Sequence, residues 1–240
     1  VGEPAKTALV RQHVPVQPAL TALAVENIFY TLSTAAMIIA GTVALLFAFD
    51  LDPGLREFSE IAVLAMVLLI VVSLAVLWRQ PAIISRWLPR ESTPGTRTHS
   101  ALGRLRVLEA EIYSFASRRR SAVVPVVLLE VSFHALGVVE THLVMWMILG
   151  APPQLIESFI LETANRLITV AFKFVPFQVG VGEVGTALAT QLLGLGAAPG
   201  VTLSLVRKAR MGLWSLAGTA LVVRRGLTAR RVLEDPELNG

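Results

Sequence analysis

The chain has 240 residues, of which 54% are hydrophobic and 16% charged, against roughly 25% charged in a soluble globular protein. So few charges cannot cover a soluble surface, whereas a bilayer solvates apolar side chains directly, which argues against a soluble enzyme, a disordered chain and a fibrous repeat. Cysteine is absent, so disulfides, thiolate metal sites and a cysteine nucleophile are excluded, while 21 Lys and Arg against 17 Asp and Glu leave a basic excess whose meaning depends on its placement.

In chain order, Ile28 to Phe49 is an uncharged run of 22 residues, about 33 Å of helix and enough to cross a hydrocarbon core. It is too long for a secretory signal, no A-x-A-like cleavage site follows it, and further spans come after it. The chain opens at Val1 rather than Met, which suggests missing upstream sequence. A second span runs from Ile61 to Trp78, 18 residues without a charge, and ends in Trp78 and Arg79, a pair suited to the headgroup level. Ala122 to Gly150 is long enough to cross but carries Glu130, His134, Glu140 and His142, so part of it must face something other than lipid.

Beyond Leu155 the pattern is broken. A helical stretch to Val175 is followed by Pro176-Phe177-Gln178-Val179-Gly180-Val181-Gly182-Glu183, then a short apolar run from Val184 to Leu195, a Gly194, Gly196, Pro199, Gly200 interruption, and a last helix from about Val201 to Val223. Short apolar segments interrupted by Gly and Pro are the signature of discontinuous or re-entrant membrane helices. The expected fold is therefore all-α: a polytopic transmembrane helix bundle with discontinuous or re-entrant helices, forming one transmembrane domain over residues 1–240.

The loops set the orientation. From Arg79 to Arg120 there are nine arginines against Glu91, Glu109 and Glu111, while Asp50 to Glu60 holds four acids against Arg56. The positive-inside bias puts the loop 79–121 and the tail with Arg224, Arg225, Arg230 and Arg231 in the cytoplasm. Nucleic-acid binding is the other reading of so many arginines, but they flank membrane segments and lack the interleaved aromatics of a single-strand platform. Within the loop, Leu105, Leu108, Ile112 and Phe115 recur at helical spacing, predicting an amphipathic helix that lies on anionic lipid or on the protein's own cytoplasmic face.

Two helices carry polar stripes. At 100° per residue Glu130, His134, Gly137 and Thr141 share a face, and the same offsets recur as Glu162, Arg166, Thr169 and Lys173. A charge facing lipid would cost roughly 2.5–3.5 kcal/mol by insertion scales, so the stripes should face the bundle interior or a hydrated cavity. Glu162 and Arg166 stand i,i+4 and can pair. A buried ion-pair lattice that only holds helices in register is the bland alternative to a polar path or headgroup chamber. His134 and His142 stand eight residues apart and do not share a face, and with Glu130 they match no metal motif, so neither a metal nor another cofactor is expected.

Gly180, Gly182 and Gly185 spell G-x-G-x-x-G, but no strand precedes them and no acidic residue follows at the required distance, so a dinucleotide site is rejected. Pro176 ends the preceding helix, the glycines allow an unwound segment, and Glu183 opens the next helix, where the helix dipole favours a carboxylate. Unwound backbone at membrane depth must be buried in protein or line a cavity, which marks this stretch as a candidate site. In the last helix Arg207, Lys208 and Arg210 precede only 13 apolar residues, Met211 to Val223, about 20 Å and too short to cross alone. The basic cluster is thereby drawn toward the membrane, to snorkel, to bind an anionic headgroup or to pair with Glu183.

In order along the chain, Gly2, Glu3 and Lys6, then Glu26 with Asn27 where Arg is usual, then Pro176, Gly180, Gly182 and Glu183 with Phe177-Gln178 where two glycines are usual, then Leu193-Gly194 and Arg207, resemble a family pattern. It is that of the flippase-like integral membrane proteins related to the transmembrane region of lysylphosphatidylglycerol synthase. The resemblance implies about eight or more membrane segments, hence one or two helices before Val1, and a lipid-handling role. Some relatives carry a soluble aminoacyl-transfer domain after this region; only 17 residues follow Val223, so lysyl transfer is not expected of this sequence.

The function expected on these grounds is an inner-membrane protein of bacterial type that binds and translocates a phospholipid or isoprenoid-linked lipid. Its polar chamber would draw on Glu3, Glu26, Glu130, His134, Glu162, Arg166, Lys173, Pro176, Gly180, Gly182, Glu183 and Arg207. Within it Glu183 would orient the unwound loop, Arg207 would hold phosphate and Glu26 would stand at the mouth. The alternatives are a glycosyl or acyl transferase acting on lipid-linked substrates, with Glu26, Glu183 or His134 as base, and a scaffold subunit of a lipid-synthesis complex. Partner proteins would be a second copy or a lipid-biosynthesis enzyme. No P-loop motif is present, so a driving force would be ionic, a partner's, or the lipid gradient.

Overall fold

The computed structural model describes residues 16–79, 110, 120–175 and 178–224. Among them the chain is all-α, with six helices: α1 (Val16–Ala48), α2 (Pro53–Arg79), α3 (Arg120–Leu149), α4 (Leu155–Ala171), α5 (Val181–Leu192) and α6 (Ala197–Arg224). The amphipathic helix expected near residues 105–115, and Glu3, Lys6, Pro176 and Phe177, lie outside the described residues. Two compact units divide the chain. One comprises Leu32–Val72 and Leu129–Gly218 and contains every interaction described below; the other takes in the remaining described parts of α1, α2, α3 and α6.

Local chemistry explains the helix ends. Asp52 accepts from the backbone N–H groups of Gly54 and Leu55, both at 3.1 Å, and Pro53 stands at the first helical position, where its missing N–H has no helical partner to lose. Glu157 reaches back to the Gln154 N–H at 2.8 Å to start α4. The α5 terminus is a Schellman motif: Gly194, at φ +75°, donates to the Gln191 carbonyl at 3.0 Å and Leu195 donates to that of Thr190 at 2.9 Å. The Leu193-Gly194 turn of the family pattern thus caps a helix.

Three of these helices are long and apolar enough to cross a membrane: Pro18–Ala48 in α1, Pro53–Arg79 in α2 and Val123–Leu149 in α3. On α2 only Ser59 and Ala62 are buried, while Phe58, Ile61, Leu64, Leu68 and Val71 are exposed, a composition that water does not solvate and lipid does. The buried core is small and sits where α3, α4, α5 and α6 meet: Met145, Ile160, Leu161, Leu193 and Leu203, backed by Leu45, Phe49 and Ile148.

Close packing supplies what the hydrophobic effect cannot supply between helices in lipid. Gly200 in α6 marks a close approach of backbones: a Cβ there would overlap the carbonyl oxygen of Thr186 and the Cα of Ala187, so the α5 and α6 backbones touch. Thr186 and Thr190, buried on that face, donate their hydroxyls to the Gly182 and Thr186 carbonyls at 2.8 and 3.1 Å, so both are satisfied within α5 although Thr190 Oγ1 also lies against Gly200.

Candidate functional site

The site is built on the stripe of α3 and the stripe of α4, with α6 closing over them. Glu162 on α4 is the centre. Its Oε1 accepts from Arg166 Nη2 at 2.8 Å, one helical turn on, and its Oε2 accepts from Arg207 Nη2 at 2.6 Å. Thr141 on α3 completes the junction, donating to Glu162 Oε2 at 3.0 Å and accepting from Arg207 Nη2 at 2.7 Å. The side chains of Glu162, Arg166 and Arg207 are 4%, 14% and 12% exposed. Gly137 makes the room: a Cβ there would stand 2.9 Å from Glu162 Oε1 and 3.2 Å from Arg166 Nη2. The Arg166 guanidinium also lies 4.8 Å above the Phe133 ring.

Two guanidiniums against one carboxylate leave this buried junction with a formal charge of +1. Arg207 Nη1 and Arg166 Nε are buried and meet no acceptor among the described residues. Buried donors are normally matched, and a cationic donor left unmatched is costly.

A second cluster lies on the same α3 stripe. Ser33 of α1 donates to Glu130 Oε2 at 3.1 Å, and His134 Nε2 lies 3.1 Å from the same Ser33 oxygen. Two further cations of α6 each take their own acid: Lys208 bonds Glu183 of α5 and, at 3.2 Å, the Gln178 carbonyl, while Arg210 bonds Glu140 of α3. Over four residues α6 therefore sends three cations to three different helices.

Beside α4, opposite the charged stripe, α1, α2, α4 and α5 border a half-open apolar cavity of about 220 Å³ lined by Leu45, Leu55, Phe58, Leu167, Ile168 and Leu188.

Several sequence expectations need correction. The second stripe does not reach Lys173, because α4 ends at Ala171 and Lys173 is exposed in the following turn; Thr169 bonds the Asn165 carbonyl within the helix. The helical stretch expected to reach Val175 thus stops four residues earlier. The unwound segment includes Gly180, at φ +86°, and Gln178, at φ +52°, but not Gly182, which is helical and buried against Ser204 of α6. Glu183 does bind the loop, accepting from the Gly180 N–H at 2.8 Å, and of the basic cluster it is Lys208 that pairs with it. Glu26 is exposed and belongs to the other unit.

Ser33 and Glu140 entered no expected constellation, nor did the bond of His142 Nδ1 to Ser158 Oγ at 3.0 Å. The signal for Ser33 was a pair of adjacent hydroxyls, Ser33-Thr34, inside a run otherwise apolar. Among the described residues no group of His, Asp or Glu is arranged to hold a metal ion.

No curated protein and no solved structure matches the chain. The chain matches the family model of the lysylphosphatidylglycerol synthase TM region over residues 1–218 and has three helices of membrane-crossing length, so it is a multi-pass membrane protein belonging to this family.

Proposed function

We propose that the protein binds the anionic headgroup of a membrane phospholipid or isoprenoid-linked lipid at the Glu162 junction and carries it between leaflets of the bacterial inner membrane. The observation that carries this reading is the unbalanced, buried pairing of Arg166 and Arg207 with Glu162, with Arg207 Nη1 and Arg166 Nε meeting no acceptor among the described residues. A phosphate oxygen is a geometric and electrostatic match for such donors. A lattice meant only to hold helices would be expected to balance its charges, as the neighbouring one-to-one pairs do.

The remaining parts fit the same amphiphile. The cavity of about 220 Å³ is half as large again as the ~150 Å³ engineered cavity that takes up benzene, and its apolar walls suit part of an acyl or isoprenoid chain. The short helices α4 and α5, joined by the Gln178 to Gly180 turn, act in this reading as a re-entrant pair whose break lines the headgroup path.

Native mass spectrometry of the purified full chain tests the reading directly. Wild type should carry an anionic lipid, and Arg207→Gln should lose it by about tenfold, roughly 1.4 kcal/mol, with the folded yield retained. In vesicles containing a labelled anionic phospholipid, translocation should fall in parallel. An unchanged complement of lipid in Arg207→Gln would overturn the assignment.

A further inference from the structure

We propose that the face shared by α3 and α6 is the side entrance of the headgroup site, where an anionic membrane lipid arrives with its phosphate at Arg210 and its tails still in the bilayer. This entrance rests on the headgroup reading above, to which it adds a route. Its basis is the place of one charge pair. Glu140 lies seventeen residues past Val123 and nine before Leu149 in the α3 span, roughly 26 and 14 Å along the helix axis at 1.5 Å per residue. At that depth the side chains of Arg210 and Glu140, bonded to each other, are 51% and 34% exposed.

The surroundings of the pair are apolar. Leu136, Leu143 and Met147 stand one and two turns from Glu140 on the same side of α3, and Val206 and Leu213 stand one turn either way from Arg210 on α6; all five are exposed. Hydrocarbon alone solvates that ring of side chains but not the charges, and water alone solvates the charges but not the ring. A lipid serves both, its phosphate oxygens accepting from the guanidinium and its chains lying on the ring.

The pair also adjoins the junction. Glu140 precedes Thr141, which accepts from Arg207 at 2.7 Å, and Arg210 follows Arg207 by three residues, a rise of about 4.5 Å along α6. Accessible charge therefore grades into covered charge: Arg210 is half exposed, whereas Arg207 is 12% exposed and its Nη1 meets no acceptor among the described residues. An arriving phosphate replaces Glu140 on Arg210 and then moves one helical turn inward to Arg207. An exposed one-to-one pair is weak, so this exchange costs little, and between visits Glu140 keeps Arg210 neutralised. The pair carries no net charge and the junction carries +1, so the route as a whole favours a net anionic headgroup over a zwitterionic one.

The test places the full chain in vesicles of phosphatidylcholine and phosphatidylglycerol, one of the two carrying a photoactivatable diazirine in its acyl chain, and maps the adducts by digestion and mass spectrometry after irradiation. In wild type, adducts on residues 136–147 and 206–213 should favour the phosphatidylglycerol probe by about fivefold, the equivalent of the roughly 1 kcal/mol that one arginine contributes beside an anionic lipid. Arg210→Gln should bring that ratio to about one and slow translocation of labelled phosphatidylglycerol by more than it lowers the lipid retained by the purified chain. Glu140→Gln, which leaves Arg210 without its competitor, should raise the ratio above that of wild type, whereas a pair that only fastens α3 to α6 would respond alike to both changes; this variant serves if Arg210→Gln does not fold. Equal adducts from the two probes in wild type, or an unchanged ratio in both variants, would overturn the entrance alone if anionic lipid still co-purifies with the chain. Wild type that co-purifies with no anionic lipid would remove the junction reading and the entrance with it. A face free of adducts on a chain that is dimeric by native mass spectrometry would give that face to a second copy and overturn the entrance.

Discussion

Two ionic sites on α6, three residues apart, have opposite characters. Arg207 enters a junction where Glu162 is 4% exposed and shared by a second arginine; Arg210 pairs one-to-one with Glu140, with side chains 51% and 34% exposed. The first costs desolvation and stays charged beyond its own balance, whereas the second is a surface pair of small consequence. Excess charge held under cover is what a binding site requires, and a fastening between helices does not need it.

The sharpest way to break this contrast is Glu162→Gln. Losing the carboxylate leaves two buried guanidiniums without a counter-charge, and stability should fall by about 3–5 kcal/mol, read as a large drop in the thermal midpoint in detergent. A smaller change is expected for Thr141→Val, which removes a buried hydroxyl between Glu162 and Arg207 at nearly constant volume; about 1–2 kcal/mol should be lost, with lipid affinity reduced alongside. Arg210→Gln should cost under about 1 kcal/mol, and that little should vanish at high salt. If the three variants proved equal in unfolding experiments, the two sites would not differ in kind.

Much of this was legible in the residues. Apolar runs of 22 and 18 residues gave the first two helices, and the 3.6-residue period placed Glu130, His134, Gly137 and Thr141 on one face and paired Glu162 with Arg166. The extension to Lys173 failed because periodicity carries no information about where a helix stops, and α4 stops at Ala171. Reading Gly182 as unwound failed for a related reason: glycine in sequence signals either a free backbone angle or a close neighbour, and at Gly182 it is a neighbour, Ser204. Partner choice was the least legible feature. Arg207, Lys208 and Arg210 differ by about 100° per residue around α6, so which acid each one meets depends on how α3, α4 and α5 are arranged around it.

The bare backbone contact at Gly200 carries a mechanical consequence. With the Thr186 carbonyl and Ala187 Cα pressed against it, α5 cannot slide along α6 without collision, and the capped corner at Gly194 ties their ends together. The two helices are therefore locked to each other, and any sideways opening toward lipid would have to part them jointly from their neighbours. A single methyl at position 200 would act as a wedge, prying Glu183 from Lys208 at a distance from either charge.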